Sequence, residues 1–386
     1  MLESFANFLQ NTGFYALISS GGIDAVKTII MIAIACVLLY LAIVKKFEPL
    51  LLLPIAFGML LSNLPMIKDS SAIMMHTEFF TNPEYMTDGK YINVGYICQH
   101  GGLLDLLYLG VKLGIYPPLI FVGIGCMTDF GPLIANPKSI LLGAAAQFGV
   151  FFTFVGALVL SALVPSINFG IKEAASIGII GGADGPTAIY VTKSLAPALL
   201  PAIAVAAYSY MALIPVIQPP IMKLMTRKKD RMIVMEQLRP VSKTEKILFP
   251  IIVTIIVALI IPDAVSLVGC LMLGNLMKES GVVERLTKMA QNELMNIITL
   301  FLGVTVGATA TASSFLSAQT IGIIVLGLIA FCFSTAGGLL LGDIMCWVTK
   351  GKVNPLIGSA GVSAVPMAAR VSQTAVSYTH LTLPTN

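Results

Sequence analysis

Charge is scarce in this chain. Only 11% of its 386 residues are Asp, Glu, Lys or Arg, while 57% are hydrophobic, and the mean hydropathy is +0.91. A soluble domain carries about a quarter of its residues as charges, so this composition excludes one and reads as an all-α polytopic membrane protein. Histidine is scarce too: His76, His100 and His380 lie in polar loops or the tail. None is placed to act as an intramembrane base or metal ligand, so metalloenzyme chemistry is not expected. Cys36, Cys98, Cys126, Cys270, Cys332 and Cys346 are scattered, five of them in apolar runs, and make neither a disulfide framework nor a metal-ligand spacing. No basic stripe interleaved with aromatics accompanies the net charge of +4, which excludes a nucleic-acid surface. Met1 to Gly22 has an acid where a signal peptide has a basic region, so no cleavable signal is expected.

What the chain has in abundance is apolar sequence. Runs cover Ala25–Val44, Pro49–Asn63, Ile115–Met127, Ser139–Leu163, Ala196–Ile217, Ile247–Ile261, Ala264–Met277, Ile297–Thr311 and Ile321–Trp347. Several fall short of the ~20 residues that span a bilayer, and short runs beside Gly- and Pro-rich ones predict discontinuous or re-entrant helices. About nine to eleven membrane segments are expected, although the count between residues 297 and 353 is ambiguous. The densest Lys/Arg cluster, Met222 to Lys246, predicts a cytoplasmic loop. Counting back from it puts the polar segment 66–100 outside. The predicted organisation is an N-terminal segment 1–24, a first membrane repeat 25–221, the basic loop 222–246, a second repeat 247–374 and a non-native tail 375–386.

One acid interrupts the apolar sequence. Asp184 lies in Gly178-Ile-Ile-Gly-Gly-Ala-Asp-Gly-Pro-Thr187, a stretch broken by Gly and Pro that runs on to Pro197. A carboxylate at membrane depth costs about 2.5 to 3.5 kcal/mol, so it persists with a cation, a partner or a water-filled cavity. Gly and Pro free backbone carbonyls as oxygen ligands where they line such a cavity. A broken helix carrying an acid reads as an ion site; the plainer alternative is an Asp in a surface loop between two spans.

Internal matches suggest a repeat. Gly131-Pro-Leu-Ile-Ala135 recurs as Asn354-Pro-Leu-Ile-Gly358 at an offset of 223, and Gly58-Met-Leu-Leu-Ser-Asn63 resembles Cys270-Leu-Met-Leu-Gly-Asn275 at 212. By the loop count, Pro49–Asn63 and Ala264–Met277 run in opposite directions, which predicts two inverted repeats meeting at a midplane site. A second broken element spans Thr349 to Arg370 and holds Asn354, Gly358 and Ser363. Amide, hydroxyl, carboxylate and carbonyl oxygens are hard ligands that suit an alkali cation. Taken alone, Asn354 and Ser363 would more often be helix–helix hydrogen-bonding groups.

At these residues the chain closely resembles the beta subunit of the biotin-dependent, sodium-pumping decarboxylases, from Lys27 to Gln373. Gly181-Gly-Ala-Asp-Gly-Pro-Thr187, Met127-Thr-Asp-Phe-Gly-Pro-Leu-Ile-Ala-Asn-Pro137 and Val353-Asn-Pro-Leu-Ile-Gly358 carry the likeness, with Gly361 through Arg370. The resemblance implies a subunit that decarboxylates carboxybiotin carried on a partner and couples this to sodium export with proton uptake. It makes Asp184 the sodium- and proton-linked carboxylate, with Asn354, Gly358 and Ser363 lining the sodium path. Tyr210 matches the family's functional tyrosine, and Arg370 an arginine suited to the carboxybiotin carboxylate. Without the family, Tyr210 reads as an aromatic of the bundle and Arg370 as an interfacial anchor.

Implied partners are carboxyltransferase and biotin-carrier subunits, a small gamma or delta membrane anchor, and further beta subunits in a homo-oligomer. The implied location is the bacterial or archaeal cytoplasmic membrane. The tail from Ala375 looks like adapter read-through, and by the 223 offset the counterpart of Gly181–Pro197 would fall near 404 to 420, past the last residue. The competing class is a self-contained sodium–carboxylate symporter or sodium–proton antiporter, which needs no biotin partner. A purely structural membrane scaffold explains the two broken polar elements poorly.

Overall fold

The computed structural model describes residues 12–47, 49–65, 75–80, 82–87, 91–233, 235, 239–361, 368 and 371–372. Apolar runs become helices, and each Gly or Pro cluster becomes a break. The first half comprises α1 (Gly13–Ser19), α2 (Gly22–Ile43), α3 (Pro49–Asn63), α4 (Val94–His100), α5 (Leu103–Lys112), α6 (Tyr116–Met127), α7 (Gly131–Ala135), α8 (Ile140–Ala146), α9 (Phe148–Leu163), α10 (Ile171–Gly178), α11 (Gly185–Leu195) and α12 (Leu200–Met225). The second comprises α13 (Lys243–Ile260), α14 (Val265–Ser280), α15 (Glu284–Met289), α16 (Met295–Ala308), α17 (Ala312–Phe315), α18 (Ala318–Val348) and α19 (Ile357–Ala360). Among the described residues the only sheet is a two-residue hairpin, β1 (Met86–Thr87) on β2 (Tyr91–Ile92). The ambiguous stretch 297–353 resolves into the end of α16, the turn α17 and the unbroken 31-residue α18.

By length and composition three segments could cross a membrane: Gly22–Ile43, Pro137–Leu163 and Ala318–Val348. Counting two bent pairs as single spans raises this to five among the described residues. The first pair, α5 with α6, bends by 71° next to Gly114, whose φ is +75°. The second bend, 61°, divides α12 between Met211 and Leu213. Pro215 explains it, since a proline ring clashes with the carbonyl four residues back and removes its hydrogen bond. Other apolar runs form shorter helices, such as the 15-residue α3 and the 14-residue α16.

Two helix crossings organise the bundle, and each is made by glycine. A Cβ on Gly58 of α3 would lie 2.0 Å from the Val304 carbonyl oxygen of α16, and one on Gly307 would meet Ile55 at the same distance. The α6–α14 crossing has the same form, with Gly125 against the Leu271 oxygen and Gly274 against the Val122 oxygen. Each crossing is locked by an asparagine, Asn63 at the end of α3 and Asn275 within α14. Asn63 Nδ2 donates to the Ala310 oxygen at 2.7 Å, and Asn275 Nδ2 donates to the Thr128 oxygen at 3.0 Å. Both asparagines are buried, where an amide persists only if bonded.

Polar contacts tie down the loops. Ser242 and Glu245 form a capping box at the start of α13, and Arg239 pairs with Glu245 at 3.1 Å. Lys246 reaches Asp129 at 3.1 Å and Glu279 at 3.7 Å, fastening the residue 128–130 turn to α13 and α14. At α5, the buried Asp105 accepts from the Gly102 and His76 backbone N–H groups and contacts His76 Nδ1 at 2.6 Å.

Candidate ion site

The helix break at Asp184 is built from the chain on either side. α10 ends at Gly178, tightens into a 3₁₀ turn over Ile179–Gly182, and reverses at Ala183, whose φ of +53° is left-handed. A non-glycine residue in that region is strained and is held there by its surroundings. Asp184 then sits extended as the N-cap residue of α11. Its carboxylate faces the positive end of that helix dipole, and Thr187 Oγ1 donates to Asp184 Oδ2 at 2.5 Å. The alternative of an Asp in a plain surface loop fails, because the residues on both sides of it are buried.

Close approach fixes the break. A Cβ on Gly181 would come within 2.8 Å of the Gly149 backbone, and one on Gly185 within 2.5 Å of the Tyr208 ring. Ser334 Oγ of α18 donates to the Gly181 oxygen at 2.5 Å. Tyr208 is buried with its hydroxyl unpartnered, and its ring packs on Gly185, the residue after Asp184. Tyr210, two residues on, donates its hydroxyl to the Ile324 oxygen of α18 and sets its ring 5.7 Å from Phe331.

The second broken element packs on the same helix. Gly358 meets Gly338 of α18 backbone to backbone; a Cβ there would lie 1.8 Å from the Gly338 oxygen. Ser334 and Gly338 are successive turns of one helix, so α18 carries both breaks about 6 Å apart along its axis. Asn354 is buried and bonded on both sides of its amide: Nδ2 donates to the Arg231 and Ile233 oxygens at 3.0 and 3.1 Å, while Oδ1 accepts from Leu356 N at 3.0 Å. Of the predicted residues, then, Tyr210 and Gly358 meet α18 directly, Asp184 lies three residues beyond Gly181, which α18 holds, and Asn354 ties the second break to the basic loop. Ser363 and Arg370 lie outside the described residues.

Thr187 stands inside the string already singled out around Asp184, and Tyr208 lies two residues before Tyr210. Ser334 gave no signal, being one hydroxyl within 31 residues of apolar helix.

A half-buried acid at a glycine-built helix break, inside an apolar bundle, defines an ion-handling membrane protein. Comparison with known proteins makes this particular. The family model of the Na+-transporting oxaloacetate decarboxylase beta subunit matches residues 27–382, beyond the Gln373 limit of the likeness seen in the sequence. The chain is 57% identical over 373 residues to the methylmalonyl-CoA decarboxylase subunit beta of Propionigenium modestum, covering 97% of this chain and 90% of that one. It is 52% identical to the glutaconyl-CoA decarboxylase subunit beta of Acidaminococcus fermentans, covering 96% and 88%. The oxaloacetate decarboxylase beta chain of Klebsiella pneumoniae is 52% identical, at 89% and 86%. The chain belongs to this family and is a membrane subunit of a sodium-pumping decarboxylase. The self-contained symporter or antiporter gives way to that finding.

Proposed function

We propose that this subunit releases carbon dioxide from a carboxybiotin presented by a partner subunit and couples the release to sodium export with proton uptake. The observation that carries the reading is Asp184, an acid at the N-terminus of α11 in a break pinned by Gly181 and Ser334. Decarboxylation of carboxybiotin breaks its N–CO2 bond and consumes one proton at the biotin nitrogen. A carboxylate that exchanges a proton for sodium can deliver it. Moving one charge against 100 mV costs ~2.3 kcal/mol, which an exergonic decarboxylation supplies.

In this reading Asp184 binds sodium and proton in turn, and Tyr210, Asn354, Gly358 and Ser363 serve the sodium path. Arg370 pairs with the carboxybiotin carboxylate as a fork. Carboxyltransferase and biotin-carrier subunits, a small gamma or delta anchor and further beta subunits complete the complex. The location is the cytoplasmic membrane, with residues 222–246 inside, and nine to eleven membrane segments form two inverted repeats.

The two crossings support the repeat. If α3 corresponds to α14 and α6 to α16, the pairs α3–α16 and α14–α6 exchange, and Asn63 with Ala310 maps onto Asn275 with Thr128. The offset is then 212 for the asparagines and 182 for their acceptors, not a uniform 223.

The test is sodium-dependent carbon dioxide release from carboxybiotin, or from a free-biotin surrogate, by the reconstituted complex. Asp184→Asn is expected to abolish the sodium dependence. Sodium-stimulated release that survives Asp184→Asn would overturn the assignment.

A further inference from the structure

Two lysines converge on the bend between α5 and α6, and the chemistry at Asp184 uses neither. Lys112, the last residue of α5, is 7% exposed. Its Nζ lies 5.7 Å from the centre of the Tyr108 ring, one turn back on the same helix, a cation over a π face. Lys193 of α11 reaches the neighbouring residue and donates its Nζ to the Leu113 carbonyl oxygen at 2.6 Å. The bend is shaped for this contact. Gly114 has a φ of +75°, and a Cβ there would come within 2.6 Å of Lys193 Nζ, so the glycine both makes the turn and leaves room for the ammonium.

Neither ammonium has a carboxylate within ion-pair distance among the described residues. Asp105, two turns before Lys112, is occupied by His76 and by the Gly102 N–H. Asp263, whose backbone carbonyl accepts from Tyr190 one turn before Lys193, is exposed. A charge buried in a membrane segment without a partner is costly and marks a function. Lys112 stands in such a segment, the bent α5–α6 pair. Asp184 caps the start of α11 and Lys193 lies nine residues on, about 14 Å along the axis. Lys112 adjoins the residue that Lys193 holds, at a comparable distance. At about 14 Å, in an effective dielectric of about 20, one positive charge weakens the binding of a cation about sevenfold.

We propose that Lys112 and Lys193 hold down the sodium affinity of Asp184, so that the ion it carries is let go to the outside. The inference rests on the reading of Asp184 as the sodium-binding carboxylate. Neither lysine touches the ion; both act through the field at the acid. With residues 222–246 inside, α12 runs inward to that loop and α11 outward from Asp184, which puts both charges on the external side of the acid, the side of release. Lys112 contributes more because it is buried. Lys193 is half-buried, and salt screens it over a distance longer than the ~10 Å Debye length.

The experiment measures 22Na+ binding to the purified full chain in detergent, for the wild type, Lys112→Met, Lys112→Arg, Lys193→Met and Asp184→Asn. Lys112→Met is expected to tighten sodium binding about fivefold and Lys193→Met about twofold, while Lys112→Arg, which keeps the charge, stays at the wild-type affinity. Damage to the fold would weaken binding, so a gain in affinity reports the charge itself. Unchanged or weaker sodium binding in folded Lys112→Met would overturn the proposal, as would an equal gain in Lys112→Arg. Should Lys112→Met fail to fold, Lys193→Met decides alone, and unchanged affinity in it counts against the proposal. Sodium binding intact in Asp184→Asn would instead refute the assignment of Asp184, whatever the lysine variants show.

Discussion

Adding one methyl group at Gly274 should cost far more than adding it five residues earlier on the same helix. A Cβ at Gly274 would lie 2.0 Å from the Val122 oxygen and 2.9 Å from Cys126 N. Even close carbon–oxygen contacts sit at about 3.3 Å, so α6 and α14 must part by roughly 1.3 Å. Both obstructing atoms are backbone, which cannot swing aside as a side chain can. Overpacking of this kind costs about 1–3 kcal/mol, a shift of roughly 5- to 150-fold in the folding equilibrium. Separation also stretches the Asn275 contact with the Gly125 oxygen, already 3.5 Å long. Gly269, by contrast, would place its Cβ 3.7 Å from Val265 Cγ1 and 3.9 Å from Thr254 Cγ2, ordinary contacts. There Ala should be neutral or stabilise by up to ~1 kcal/mol through helix propensity. Unfolding of the purified chain by titration with SDS, followed by circular dichroism, gives both values. Equal losses for Gly269→Ala and Gly274→Ala, or a Gly274→Ala loss of only a few tenths of a kcal/mol, would refute the reasoning.

Two more outcomes are expected. Asn63→Ala strips the buried Ala310 carbonyl of its side-chain donor and should destabilise by about 1–3 kcal/mol in the same unfolding assay, whereas Asn275→Ala leaves the half-buried Thr128 oxygen with Lys278 still donating to it and should cost less; a larger loss at Asn275 than at Asn63 would contradict this. At Glu245, the Arg239 guanidinium and then the Ser242 backbone and hydroxyl hold the carboxyl down to about 2, from an ordinary 4.5. A depressed carboxyl stabilises the fold above its unfolded value, so any advantage of the wild type over Glu245→Gln should be complete above pH 4.5 and vanish as pH falls to about 2. Melting temperatures across that range check it, and an advantage that grows on acidification would contradict the sign.

Much of the fold was legible because hydrophobic runs and their Gly and Pro interruptions are local signals. Asp184 stood out because a lone acid amid apolar sequence is costly to keep. The likeness of Gly58–Asn63 to Cys270–Asn275 pointed to two helices that use matching asparagine locks. What the sequence hid depends on distant partners. Asn354 read as a cation ligand by chemistry, and nothing in the sequence signalled that its amide nitrogen bonds the Arg231 and Ile233 carbonyls, over a hundred residues away. Ser334 carries no periodicity signal, since a single polar group on a mostly apolar helix changes neither its pattern nor its length. The count of membrane segments stayed indistinct for a related reason: Pro and Gly shorten helices below the length that marks a span.

α18 runs unbroken for 31 residues and touches one interrupted element at Ser334 and the other at Gly338. A helix of that length is a stiff rod, so a roll or slide of it displaces both seats together and in the same sense. The two interruptions are therefore geared to one shaft. A change of occupancy at either would be felt at the other, and by linkage with equal free energy in both directions.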